Sequence, residues 1–179
     1  KYKFNKNYKN FRFIKFDINS DLNILKKFIK KNKVDYIVDF LGQGMVAESW
    51  IHPHHWYQTN IMSKIKLYDF LSKKINFKKY IRISTPEAVG NVNGFIFENT
   101  KANPSTPYGI SHLTTDLTLL AYYKFNKFPV VISRFSNFYG PHQQPYRIIP
   151  KTLHCIFGKK KFPLQGGGKS VRSFIFIDD

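Results

Sequence analysis

"KKYIRIST", residues 78–85, is a short apolar strand that ends on two hydroxyl residues, and its surroundings decide how the chain folds. On either side lie stretches with apolar residues at helical spacing, "YQTNIMSKIKLYDFLSKK" (57–74) and "TPYGISHLTTDLTLLAYYKF" (106–125). Farther out, "VDYIVDFLG" (34–42) reads as a strand running into glycine and "DLNILKKFIKKN" (21–32) as a helix. "FRFIKFDI" (11–18) and "FPVVISRFS" (128–136) read as further strands. Strands alternating with helices of this length predict parallel βαβ units, right-handed crossovers and a sheet covered by helices on both faces, an α/β fold. After about residue 138 the rhythm breaks into Gly- and Pro-rich segments, "YGPHQQPYRIIP" and "FPLQGGGKSVRSFIF". The expected organisation is therefore a main α/β domain over 1–138 and a smaller region over 139–179. In a parallel sheet ligands bind at the carboxyl ends of the strands, so Asp17 and the turns "LGQG", "STPE" and "RFSN" should face one crevice.

Composition narrows the function. The 179 residues suit one core, 42% are hydrophobic, and no apolar run reaches the roughly 18 to 20 residues that span a bilayer. The single cysteine, Cys155, excludes an internal disulfide and a thiolate metal site, and points to a reducing compartment, so a soluble, cytoplasmic protein is expected. No basic, apolar, small-residue series resembles a signal peptide. The net charge of +18 would suit nucleic acid if it were clustered. Instead lysines are scattered in pairs and arginines are few, which argues against nucleic acid as the main partner. The excess of Lys, Asn, Ile and Phe also matches the codon bias of an AT-rich genome.

On the helix that follows KKYIRIST, Thr106 is a good N-cap and Pro107 suits the first helical position, so Tyr108 falls in the first turn. Leu113, Leu117, Leu120 and Ala121 form the expected core stripe, with Tyr108, His112 and Thr115 on a more polar face. By itself the Tyr108–His112 pair reads first as a tyrosine and a histidine packed at a domain boundary, and only second as chemistry. "GGGKS" (166–170) resembles a phosphate loop only superficially, since the required glycine is replaced by Pro163. "HPHH" (52–55) lacks further ligands at helical spacing, so no metal site is expected. "GQG" (42–44) lets the backbone come close to a ligand without being a fingerprint.

Five motifs in order resemble the NAD-dependent nucleotide-sugar epimerase/dehydratase family of extended short-chain dehydrogenase/reductases, in its dTDP-glucose 4,6-dehydratase-like branch. "FDI" (16–18) resembles the family's adenine-contacting aspartate, "STPEAVG" (84–90) its S-T-x-E-x-Y-G, and "FENTKANPSTPYGISH" (97–112) its Y-x-x-x-K segment. "SRFSNFYGPHQQP" (133–145) resembles R-x-x-N-x-Y-G-P, and "LQGGGKSVRSFIFIDD" (164–179) resembles G-x-G-x-x-x-R-x-F-x-x-V-x-D. The resemblance implies a Rossmann-like sheet that lacks the first βαβ unit, followed by part of a small substrate region. It implies a chain truncated at both ends, which alone should bind NAD poorly.

The resemblance also assigns roles. Tyr108 would be the acid/base acting on a sugar hydroxyl while NAD takes a hydride. A free phenol ionises near pH 10, so service at pH 7 needs about 4 kcal/mol of preferential stabilisation of the phenolate. His112 stands where the family has lysine. Ordinarily about a quarter protonated at pH 7, it would offer a pH-dependent positive charge. Thr85 would hold the reacting oxygen and Glu87 would take the C5 proton in dehydration. Pro86 stands where many dTDP-glucose dehydratases carry Asp, and Val89 replaces a usual aromatic. Asp17, Ile18, Ser84, Tyr108 and His112 would contact NAD. Asn137, Arg147 and Arg172 would join Thr85 in binding a nucleotide-diphosphate sugar, arginine being suited to a diphosphate by its planar fork. The implied reaction is 4,6-dehydration through C4 oxidation, with 4-epimerisation, decarboxylation or a weakened binding module as alternatives. A homodimer formed through two helices, one carrying Tyr108, is also implied.

Overall fold

A computed structural model describes residues 10–74, 76–92, 94–163, 165–168 and 171–179. The chain divides into two compact units, Lys1–Ile132 and Ser133–Asp179. The first contains helix α1 (Leu22–Asn32), strand β1 (Tyr36–Asp39), helix α2 (Pro53–Trp56), a π-helical segment (Tyr57–Ser63) and helix α3 (Lys64–Lys74). Strand β2 (Lys79–Ser84) and helix α4 (Pro107–Asn126) follow, then strand β3 (Val130–Arg134), whose last two residues fall in the second unit. The strands form one sheet in the order β1-β2-β3, and β1 pairs parallel to β2 from Tyr36↔Lys79 to Asp39↔Arg82. This is the Rossmann-like α/β arrangement that the alternation of strands and helices requires.

Local chemistry sets the element ends. The Thr106 hydroxyl accepts from the Gly109 N–H at 3.0 Å, and Pro107 occupies the first helical position, so α4 begins where the sequence predicts. Its far end closes on Lys127 in the left-handed region (φ 55). Between sheet and helices, Ile29, Leu67, Tyr68, Leu71, Tyr80, Leu119 and Phe128 form the core. Tyr68 and Tyr80 pack edge to face at 5.5 Å, and Phe77 meets Phe128 at 5.3 Å.

Two expectations are corrected. Residues 11–17 carry no strand; the segment is extended, but alternating side chains become a strand only through a ladder, and it has none among the described residues. Ile18 and Phe16 still pack on the core. The stripe on α4 is also turned. Leu117 (55%) and Leu120 (39%) are exposed, whereas Ser111, His112, Thr115, Asp116 and Leu119 are buried. Polar side chains can displace leucines from the interior when partners await them there, and on this face all four polar residues find partners.

The second unit holds strand β4 (Asn137–Tyr139), helix α5 (Ile148–Phe157) and strand β5 (Phe174–Phe176). β4 and β5 pair in parallel, Asn137 opposite Phe174. Between α5 and this ribbon lies a cavity of about 340 Å³, lined by Tyr139, Pro141, Gln143, Ile149, Leu153 and Phe176 among others.

Candidate active site

The carboxyl end of β2 and the first turn of α4 meet backbone to backbone. Beyond Ser84, Thr85 is extended (φ -139, ψ 149) and caps a 3₁₀ turn, Pro86–Ala88, whose first position suits proline. The Thr85 hydroxyl donates to the Glu87 carboxylate. A Cβ at Gly109 would lie 2.5 Å from the Glu87 carbonyl oxygen, so only glycine allows the turn of α4 next to Tyr108 to come this close. Gly90, at φ +89, lies against the Asn103 backbone, and the Asn103 N–H donates to the Val89 carbonyl at 2.7 Å. Two glycines thus fix the Thr85–Glu87 turn against the segment that carries Tyr108. Tyr108 is half-buried, its N–H donates to the Ser49 hydroxyl at 3.2 Å, and its ring lies 4.5 Å from that of His112.

His112 belongs to a buried polar network. Its Nδ1 is 2.7 Å from Arg82 Nη2. Arg82, fully buried, also faces Asp39 (3.6 Å) and Asp116 (3.6 Å). Lys64 donates to both Asp39 oxygens, at 3.1 and 2.8 Å, and the Ser84 hydroxyl donates to Asp116 at 2.7 Å. Burial works against the Asp39 carboxyl, but Lys64 and Arg82 outweigh it and hold Asp39 below the usual carboxylate range. Burial pulls the Lys64 ammonium down to about 8 against the attraction of Asp39. For His112, burial and then the charges of Arg82 and Lys64 push it down to about 3. The expected partly charged imidazole is therefore corrected: His112 is neutral at pH 7. Ser84 is drawn inward too, its proton committed to Asp116.

The depressed His112 makes stability depend on pH. An unfolded chain takes up this proton near pH 6.5, the folded one only near pH 3. Between those values the unfolded state binds more protons, so the contribution is complete above about pH 6.5 and is lost as pH falls. From pH 7 to pH 5 the loss amounts to about 2 kcal/mol. Denaturant midpoints at the two pH values measure it, and His112→Gln should reduce the difference by that amount.

Sequence reading did not single out Asp39, Asn60, Lys64, Arg82 or Asp116. Asn60, on the π-helical segment, is fully buried; it accepts from the Gln43 N–H (2.6 Å) and donates to the Ser111 hydroxyl (3.0 Å). The Thr115 hydroxyl donates to its carbonyl at 2.6 Å, as a π turn permits by loosening the helical ladder. A signal was present: Asp39 and Arg82 each stand between apolar neighbours in a strand, and a charge there demands a partner.

Asp17 and Ile18 lie with Asn19, Gly42, Gln43 and Thr59 around a cleft of about 560 Å³. Asp17 is exposed and accepts from the Asn19 N–H at 2.8 Å, whereas Ile18 is buried in the core. A Cβ at Gly42 would sit 3.6 Å from His112 Cε1 and 3.8 Å from Nε2, so the His112 ring edge borders the Gly42 turn at this cleft. A carboxylate at the mouth, a close glycine turn and a buried ring nitrogen that finds no hydrogen-bond partner among the described residues fit a dinucleotide.

In the second unit Asn137, Arg147 and Arg172 are all exposed. Asn137 donates to the Ser173 carbonyl (3.3 Å), which brings it beside the Arg172 segment; Arg147 stands at the head of α5, over the Tyr146 ring at 5.4 Å. His52, His54 and His55 stand ring against ring, yet the described residues hold no group of three or more side chains able to bind a metal. Of GGGKS, Lys169 and Ser170 lie outside the described residues. No helix among the described residues is long and apolar enough to cross a membrane.

A model of the NAD dependent epimerase/dehydratase family matches residues 1–179. The chain is 31% identical over 182 residues to a dTDP-D-glucose 4,6-dehydratase of Dictyostelium discoideum, covering 95% of this chain and 42% of that protein. It superposes on the dTDP-glucose 4,6-dehydratase of Bacillus anthracis in complex with NAD with a TM-score of 0.85 at 31% identity, covering 99% of this chain and 54% of that one. On the UDP-glucuronic acid 4-epimerase of Bacillus cereus, in complex with UDP-glucuronic acid and NAD, the TM-score is 0.84 at 28% identity, covering 98% and 55%. The chain spans about half the length of the curated relatives it matches.

Proposed function

The chain belongs to the NAD dependent epimerase/dehydratase family, and on that premise we propose that it serves a 4,6-dehydratase acting on a nucleotide-diphosphate sugar. The supporting observation is the closeness of the Thr85–Glu87 turn to the first turn of α4, held by Gly109 against the Glu87 carbonyl. One turn then offers a hydroxyl and a carboxylate, and the other a phenol. Tyr108 takes the proton of the C4 hydroxyl, and Thr85 orients that oxygen. When bound, NAD supplies a hydride acceptor and later a hydride donor. Asp17 at the cleft mouth, Ile18 beneath it and His112 at the Gly42 turn are the residues to hold it, with Ser84 contributing only its lone pairs.

Once C4 is a ketone, the C5 proton is acidified, and Glu87 removes it as the C6 hydroxyl departs as water. With Pro86 in the neighbouring place, the turn has no second acid, so the proton taken from C5 is passed by Glu87 to that leaving hydroxyl. Arg147, Arg172 and Asn137 bind the diphosphate and sugar. The exposed Leu117, Leu120 and Tyr123 on α4 support a homodimer, and the lone, buried, free Cys155 supports a cytoplasmic location. Pro86 also favours the second reading, 4-epimerisation, which needs Tyr108 and no acid for a leaving group.

Glu87→Gln separates the two. Incubated with NAD and a panel of nucleotide-diphosphate hexoses, the complete protein should form a 4-keto-6-deoxy sugar. The variant should lose that product by about 10²-fold or more while still reducing NAD at C4. Equal loss of both signals, or epimer formed by both proteins, would overturn dehydration.

A further inference from the structure

Resting on the reading of the Gly42 cleft as the cofactor site, we propose that Arg82 is a positioning residue. It fixes His112 as the neutral tautomer with its proton on Nε2, and so aims an N–H donor at a hydroxyl of the bound cofactor. The argument begins with what a guanidinium can do: it carries only donors and no lone pair. Nη2 of Arg82 and Nδ1 of His112 are 2.7 Å apart, so Nδ1 must be the acceptor and the ring proton must sit on Nε2. A second proton on Nδ1 would set donor against donor and charge against charge.

Arg82 is not free to turn away. It is fully buried and faces Asp39 Oδ2 and Asp116 Oδ1, each at 3.6 Å. Asp39 is in turn gripped by Lys64, and Asp116 by the Ser84 hydroxyl at 2.7 Å. Two cations and two anions balance, which leaves the remaining guanidinium edge for the imidazole.

The charged and titratable groups facing His112 are thus Arg82 from β2, Lys64 from α3, Asp39 from β1, and Asp116 and Tyr108 from α4. Nε2 is buried, has no hydrogen-bond partner among the described residues and borders the Gly42 turn. A buried donor left unpaired is costly, so the natural acceptor is a ligand oxygen in the cleft. Where a lysine would bring a mobile charge, this chain offers a fixed neutral donor with the positive charge held one hydrogen bond behind it. The contact to the cofactor should therefore be insensitive to pH over the range in which an ordinary histidine titrates.

Nitrogen-15 NMR of the histidine rings in the complete protein tests this without reference to turnover. His112, identified by its loss in His112→Gln, should show a bare Nδ1 and a protonated Nε2, unchanged from pH 8 to pH 5. Its Nε2 signal should move when NAD is added. In Arg82→Lys, whose shorter ammonium no longer holds the fixed fork against Nδ1, part of the rings should carry the proton on Nδ1, while burial still keeps them neutral. A proton on Nδ1, titration near 6.5 in the parent, or NAD that saturates the protein without moving Nε2 would each overturn the proposal. If Arg82→Lys does not fold, the parent spectra alone decide. Failure of the cofactor reading looks different: NAD does not bind, while the tautomer signature persists.

Discussion

Tyr108→Phe should lower turnover by about 10²–10⁴-fold, the range that a positioned acid/base contributes, while leaving NAD binding nearly unchanged. Only one oxygen is removed. The half-buried ring keeps its place 4.5 Å from His112, and the N–H bond to Ser49 belongs to the backbone. The expected result is a fall in kcat far larger than any change in Kd for NAD, to which Tyr108 contributes one contact among several. Because His112 is neutral, the phenolate of Tyr108 is not steadied by a charge at position 112. Retention of more than about a tenth of the parent rate would remove Tyr108 from the chemistry.

Asp39→Ala should lower stability by about 3–5 kcal/mol, the loss seen when one partner of a buried ion pair is removed. Lys64 is 1% exposed and donates to both Asp39 oxygens, and fully buried Arg82 loses one of its two carboxylates. The backbone is affected as well, since the Leu41 N–H donates to Asp39 at 2.9 Å at the very end of β1. Chemical denaturation measures the loss, and a double variant with Lys64→Met supplies the control. If the stranded charge is the cause, adding Lys64→Met should recover part of the stability. No recovery would shift the blame to the cavity and the Leu41 contact.

The layered α/β fold was readable because βαβ alternation is a property of spacing, and the cap of α4 because Thr106-Pro107 is local chemistry. The inner face of α4 was not readable. Leu117 and Leu120 outrank Ser111, Thr115 and Asp116 by hydrophobicity, but burial was decided by partners on other elements: Asn60, Ser84 and Arg82. The segment 11–17 misled for the same reason, since a ladder needs a neighbour that periodicity cannot supply. Within the candidate site, residue types and order marked Tyr108, Thr85 and Glu87. The charge state of His112 depended on Arg82, thirty positions away in the chain, and no motif encodes that.

The two glycines at positions 90 and 109 set a limit on how this protein can change over generations. Any side chain at 109 would strike the Glu87 carbonyl, and any at 90 the Asn103 backbone, so these places admit almost no variation. The side chains of residues 85–87 and 108 meet no such clash, whereas His112 is tied to buried Arg82. Distances are thus inherited through backbone, while the reactive groups mounted on it are open to exchange one at a time. A lineage with this scaffold can therefore exchange the groups mounted at the site without first losing the alignment they share.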